Sequence, residues 1–258
     1  MNNLDARNQL LSGLPADELS QLQPRLERVS LTVGQSVAEP FEPISHIYFP
    51  ETGFLSVVAS RHGREQTEVA LIGREGASAP SIALGCDELP FRIVVQHAGE
   101  ALRMTRADFV QACEQNDALR RTVLLHSHVL ALQIAETSRA NARHTVETRL
   151  ARWLLMAHDR TEGDDLALTH ESLSLILGVR RPGITVSLHM LEGEHMIRAR
   201  RGQIRILDRA KLEDASRGSY GLPEGEYRRL LRPDVFRPDG AGYRSAPPDR
   251  VSPLAAVA

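Results

Sequence analysis

The spacing of hydrophobic positions changes several times along the chain. Leu10, Leu11, Leu14, Leu19, Leu22 and Leu26 recur at helical spacing, with Pro15 punctuating after Gly13, and predict a short helical opening. From Val29 to about Met104 the apolar residues come in short runs instead, at 44–49, 54–59, 69–72, 91–96 and 101–104. Turn-rich stretches such as Pro50-Glu51-Thr52-Gly53 and His97-Ala98-Gly99 separate them. Strands at this spacing predict an antiparallel barrel or sandwich. Residues 106–144 contain neither Gly nor Pro and predict one or two helices, the second long and starting near Asp117. Leu119, Val123, Leu130, Ile134 and Thr137 form a stripe along it, close in period to a packing seam and interrupted at His126 and Ser127. That helix packs on its own barrel or pairs across a dimer, and its length favours pairing. A further helix over 147–158 puts Leu150, Trp153, Leu154 and Ala157 on one face. From Gly218 onward Pro and Gly accumulate, as in Arg232-Pro-Asp and Ala246-Pro-Pro, which predicts a tail without a packed core.

The stretch 166–206 carries the most specific grammar. Thr169 is placed to cap a short helix whose buried face is Leu173, Ile176 and Leu177. Gly178 allows a tight turn where a Cβ would resist positive φ, Val179 plugs the angle, and Pro182 suits the first turn of the next helix. Ile184, Leu188 and Leu191 face back to the core, and Gly193 ends the helix. This is the pattern of a helix-turn-helix, whose second helix enters the major groove of DNA. Arg180 and Arg181 stand at its N-terminal end, where a guanidinium can grip guanine O6 and N7 or a phosphate. Two short strands around Arg200-Arg201-Gly202 then predict a basic wing for the DNA backbone. The residues expected to face DNA are Thr169, His170, Arg180, Arg181, Gly183, Thr185, His189, Arg200, Arg201 and Arg205.

Composition adds an asymmetry. The 258 residues fit one large or two ordinary domains, and the net charge is −2. Residues 1–137 carry −6, residues 138–217 carry +3 and residues 218–258 carry +1, so near-neutrality averages an acidic part and a basic one. All but one of the 31 basic residues are Arg, the exception being Lys211. No apolar run reaches the ~18 residues of a membrane helix, and the opening MNNLDARNQL lacks a basic-then-apolar signal, so a cytoplasmic location without membrane contact is expected. Cys86 and Cys113 supply neither a disulfide framework nor a four-ligand metal site, and Asp87 beside Cys86 disfavours a reactive thiolate. His46, His62 and His97 fall in or beside strands without a close pair, and His126 and His128 lie on the long helix. They read as dispersed structural histidines rather than as a metal or haem site.

Three segments together carry a family resemblance: Val146-Glu-Thr-Arg-Leu-Ala-Arg-Trp-Leu-Leu, Leu168-Thr-His-Glu and Leu177-Gly-Val-Arg-Arg, followed by Met190-Leu-Glu. Over roughly 7–210 the chain resembles the Crp/Fnr family of bacterial transcription regulators. The resemblance implies an α+β fold with an N-terminal antiparallel β-roll over 1–116 and a long dimerisation helix over 117–144. It also implies a winged helix-turn-helix over 145–217, and the Pro/Gly-rich tail over 218–258 follows beyond the resemblance. It gives Arg181 a base-contact role and Thr169 a phosphate-contact role, while Pro182 and Val186 stand where the family commonly has Glu and a further Arg. The family's cyclic-nucleotide cradle of Gly-Glu-Leu and Arg-Ser or Arg-Thr is not intact here. Arg92 and Ser78 remain the candidate effector contacts, the effector is unknown and no cofactor is evident. An iron–sulfur cluster would need four Cys. The implied partners are a second copy of the chain and palindromic double-stranded DNA, with RNA polymerase a further candidate. The competing readings are a cupin-like metal-dependent barrel enzyme with an appended helical domain, and a winged helix that binds protein.

Overall fold

A computed structural model of the chain describes residues 6–61 and 64–232; His62 and most of the expected tail, 233–258, lie outside the described residues. Helix α1 (Gln9–Ser12) starts at Asn8, whose side-chain oxygen accepts from the Leu10 and Leu11 N–H groups at 3.1 and 3.3 Å. The same buried side chain donates to the carbonyls of Pro50 and Gly76, each at 2.9 Å, and so pins the opening helix to two loops. Helix α2 (Ala16–Leu22) follows Pro15.

Seven strands come next: β1 (Glu27–Leu31), β2 (Ser36–Ala38), β3 (His46–Pro50), β4 (Phe54–Arg61), β5 (Arg64–Ile72), β6 (Arg92–His97) and β7 (Gly99–Thr105). They pair antiparallel in two sheets, ordered β1-β7-β3 and β2-β6-β4-β5. Leu31, Leu55, Ile72, Ile93, Val95 and Ala101 fill the space they enclose. Each predicted apolar run lies within or overlaps a strand. Strand β5 begins earlier than its apolar run because pairing to β4, with Val58 opposite Glu68 and Ala59 opposite Thr67, holds a polar segment in the ladder. Gly53 and Gly99 let two turns stack back to back: a Cβ on either would collide with the backbone of the other turn.

Helices α3 (Arg106–Gln115), α4 (Asp117–Arg143) and α5 (Val146–His158) follow. Thr105 accepts from the Asp108 N–H at 3.1 Å and Asn116 from the Leu119 N–H at 2.7 Å, so each of the first two helices has a side-chain cap. The stripe expected to pair across a dimer turns inward. Leu119 and Val123 are fully buried in the chain's own core, Leu130 and Ile134 lie against the roll interior, and Thr137 donates back to the Gln133 carbonyl at 2.9 Å. The seam reading of Leu119 and Val123 is therefore corrected: the roll already covers that face. Gln133 binds the Leu71 backbone through both its oxygen (2.6 Å) and its nitrogen (3.2 Å), tying α4 to β5.

The C-terminal part comprises β8 (Asp165–Leu166), α6 (His170–Leu177), α7 (Arg181–Gly193), β9 (Ile197–Arg200), β10 (Gln203–Ile206) and α8 (Arg209–Ala215), with sheet order β8-β10-β9. Leu150, Trp153 and Leu154 of α5 pack with Leu173, Ile184, Leu188 and Ile204, and Phe54 and Leu71 of the roll join the same core. The two halves thus share buried apolar surface. The expectation of an unpacked tail fails at its start. Helix α9 (Leu222–Leu231) buries Tyr227 against the N-terminal core and packs along α4. Glu224 accepts from the Gly221 N–H at 3.0 Å at its start, and Pro223 sits in its first turn, so the Pro and Gly there initiate a helix. Among the described residues no helix is long and apolar enough to cross a membrane.

Candidate nucleic-acid interface

The α6–α7 pair is fixed by short-range chemistry. The Thr169 hydroxyl accepts from the Ser172 N–H and the Ser172 hydroxyl from the Thr169 N–H, each at 3.0 Å, a reciprocal cap on α6. At its other end Gly178 adopts φ 61° and ψ 37°, and its N–H and that of Val179 close onto the Leu175 and Ser174 carbonyls at 3.2 and 3.1 Å. Leu173, Ile176, Leu177, Ile184, Leu188 and Leu191 bury the facing sides of the two helices. His170 and Thr185 meet at 3.1 Å across the pair. Both therefore orient the two helices.

This leaves one side of α7 open. Arg180, Arg181, Pro182, Val186, His189 and Met190 are exposed, and Gly183 and Thr185 lie beside them. Val186 and Met190 are 59% and 49% exposed, an apolar stripe that the sequence reading passed over. Its signal was available: 182, 186 and 190 recur at helical spacing opposite the buried positions. No side chain caps the α7 N-terminus, so its N–H groups and helix dipole face solvent together with Arg180 and Arg181. A Cβ on Gly183 would meet nothing within 4 Å, so its own fold does not require glycine there.

The wing stands beside this face. Gln203 pairs with Arg200 across the hairpin, Gly202 turns it at φ 75°, and Arg201 occupies the tip. Glu192 of α7 accepts from the Ala199 N–H at 2.7 Å and sets the wing against the helix. Arg198 and Arg200 share the exposed side of β9. Among the described residues the guanidinium groups of Arg180, Arg181, Arg198, Arg200 and Arg201 have no ion-pair or hydrogen-bond partner. Arg205, expected among the DNA-facing residues, differs. Its guanidinium clamps Asp165 with two parallel bonds, one of them 2.8 Å, which raises the Arg205 pKa and lowers that of Asp165. Arg209 is likewise engaged, by Asp159 at 2.7 Å and Glu213 at 2.9 Å.

Residues 148–215 match the family described as the Crp-like helix-turn-helix domain. The matched stretch spans the α6–α7 pair and the wing. Solved structures share the fold over roughly three quarters of this chain. FixK2 from Bradyrhizobium japonicum superposes with a TM-score of 0.64 at 14% identity, over 74% of this chain and 96% of that one. The c-di-GMP-responsive global regulator CLP of Xanthomonas campestris gives 0.59 at 16% identity, over 74% and 99%. TTHB099, a CRP-family transcriptional regulator from Thermus thermophilus, gives 0.59 at 15% identity, over 73% and 96%. No curated protein matches the sequence.

Two carboxylates, of Glu68 and Glu75, tie the roll to α5 and the turn after it. Trp153 Nε1 donates to Glu68 at 2.5 Å and Ser56 donates to its other oxygen. Burial raises the Glu68 carboxyl to about 7 against the opposing pull of these donors and of Arg160 and Arg152. Glu75, on the turn after β5, pairs with the buried Arg160 at 2.7 Å; burial pushes the Glu75 carboxyl up, but Arg160 together with the Gly73 and Glu75 N–H groups outweighs it and holds the carboxyl low. The candidate effector residues are occupied locally. Ser78 accepts from the Tyr48 N–H at 3.0 Å, and Arg92 pairs with Glu39 at 3.2 Å. His46 and His97 lie near Ser45 and the Ala98 carbonyl, whereas His126 is buried and His128 exposed on α4.

Proposed function

We propose that the chain is a homodimeric, sequence-specific regulator that places α7 in the major groove of double-stranded DNA in the cytoplasm. The carrying observation is selective pairing. Arg205, Arg209 and Lys211 are engaged within the domain, yet Arg180, Arg181, Arg200 and Arg201 stand exposed around one open face, without partners among the described residues. Cations kept free beside an uncapped helix N-terminus suit phosphates and base edges. Gly183 leaves room for close approach on that side, and His189 and Thr185 flank it. Thr169, at the α6 N-terminus, is exposed and suits a phosphate contact.

Dimerisation is supported by the other side of α4. Leu124, His128, Ala131, Ala135, Ser138 and Ala142 alternate at four and three residues, a heptad seam of mostly small side chains. These positions are exposed or half-exposed, on the face away from the roll. Two copies paired along this seam would present their α7 helices to half-sites about one helical turn apart, a palindromic operator. RNA polymerase is a further partner on this reading.

The test is a mobility shift with the full chain and its own promoter fragment. Arg180→Ala with Arg181→Ala is expected to lower affinity at least tenfold, at about 1–3 kcal/mol for each lost base contact. Unchanged affinity would remove α7 from the groove.

A further inference from the structure

A cavity of about 220 Å³ opens at the meeting point of the turn after β5, α4, the end of α5, and α9. Its walls come from both halves of the chain: Arg74 and Glu75 from the roll, His126 and Gln133 from α4, Asp159 and Arg160 from the Crp-like domain, and Tyr227 and Arg228 from α9. Neither Arg92 nor Ser78 lines it, so it is separate from the candidate effector contacts of the roll.

Two buried polar groups there are left open, and both can donate. His126 Nε2 accepts from the Ala77 N–H at 3.2 Å, which places the ring proton on Nδ1. Burial holds this imidazole neutral, with its pKa near 4. The Nδ1–H is buried and has no hydrogen-bond partner, and the same is true of the Tyr227 hydroxyl. A buried donor without an acceptor costs on the order of 1–3 kcal/mol. Arg74 and Arg228 add two guanidinium groups with no ion-pair or hydrogen-bond partner among the described residues. The acids in the wall are already committed: Glu75 to Arg160, Asp159 to Arg209, and Glu224 to the Gly221 N–H, with burial raising the Glu224 carboxyl. Val129, Leu130 and Pro223 give the remaining surface an apolar character.

We propose that this junction cavity binds a small organic anion, its charged group accepting from Arg74, Arg228, the Tyr227 hydroxyl and His126 Nδ1–H while a short apolar body lies on Val129, Leu130 and Pro223. The volume is below the ~300–1,000 Å³ of pockets for drug-sized ligands, so it suits an acid smaller than a nucleotide. Because its walls come from the roll, the Crp-like domain and α9, an occupant stiffens the junction between them. Its effect on DNA affinity rests on the DNA-reading assignment above; its binding does not.

Binding is tested on the full chain without DNA, by calorimetry and thermal unfolding with benzoate, butyrate and inorganic phosphate as probes. Saturable binding of at least one carboxylate is expected, weakened at least tenfold by Arg74→Ala with Arg228→Ala and several-fold by Tyr227→Phe. Tyr227→Phe removes only the hydroxyl, so it separates ligand contact from folding. Phosphate binding as tightly as both carboxylates would remove the role of the apolar wall and overturn the proposal. So would the absence of saturable binding by any probe, or equal binding by both variants. A mobility shift with and without the bound carboxylate then reads the coupling. Absence of DNA binding both with and without the carboxylate would count against the DNA assignment and leave the calorimetric result standing.

Discussion

Arg201 and Arg205 lie four positions apart in the wing and have opposite fates. Arg201 sits free at the hairpin tip, whereas Arg205 is clamped by Asp165 from β8. The sequence reading grouped them because local pattern shows a basic hairpin; it does not show that β10 pairs with a strand 40 residues earlier. Thr169 and Gly178 were legible for the opposite reason, since cap and left-handed turn are settled within a few residues. The apolar stripe of Val186 and Met190 carries a prediction at this scale. Where the family commonly has Arg, Val186 offers methyl groups that suit the C5-methyl of thymine. Replacing thymine with uracil across the operator is expected to weaken the wild-type chain by about 0.8 kcal/mol per buried methyl contact. Val186→Ser is expected to lose most of that discrimination in the same titration, and equal discrimination would place Val186 away from the bases.

At the scale of elements, α4 shows how periodicity alone misleads. It carries two heptad-spaced stripes, and the larger side chains of Leu119, Val123 and Leu130 made the buried one visible. The opposite stripe is built of Ala131, Ala135, Ser138 and Ala142, side chains too small to stand out in the hydrophobic pattern. The two stripes are separable by experiment. Leu119→Ala is expected to cost about 2–5 kcal/mol of stability in urea unfolding while leaving the oligomeric state unchanged. Ala135→Arg is expected to give monomers in light scattering with the roll still folded; a dimer that persists would move the interface elsewhere. Helix α9 was missed because its apolar contacts, Tyr227, Leu230 and Leu231, fall beside Pro and Gly that read as a break.

The β5–α5 contact adds a pH signature. With its carboxyl at 4.5 when unfolded and about 7 when folded, Glu68 binds more protons in the folded state across that window. Its contribution is therefore full below 4.5 and declines as pH rises to about 7. His126 runs the other way, losing stability as pH falls from 6.5 toward 4. The difference in unfolding free energy between wild type and Glu68→Gln isolates the first effect. It is expected to shift by up to about 3 kcal/mol from pH 4.5 to 7 in favour of the variant. A difference independent of pH would mean that Glu68 ionises normally at its contact with Trp153.

Over the whole molecule, the charge division foreshadowed the architecture but not its tightness. An acidic first part and a basic second part were visible in the residue counts, and strands followed by helices in the spacing of apolar positions. The junction was not, because Phe54 and Leu71 joining the C-terminal core, Glu75 meeting Arg160, and α9 packing along α4 all depend on long-range packing. The central claim is that this molecule reads DNA as a symmetric pair through α7 and the wing. Selection of bound fragments from genomic DNA with the full chain tests it most directly. The account predicts enrichment of a palindrome whose half-sites lie about one helical turn apart, and loss of that enrichment in Arg180→Ala with Arg181→Ala. Recovery of no common sequence, or of one without two-fold symmetry, would contradict it.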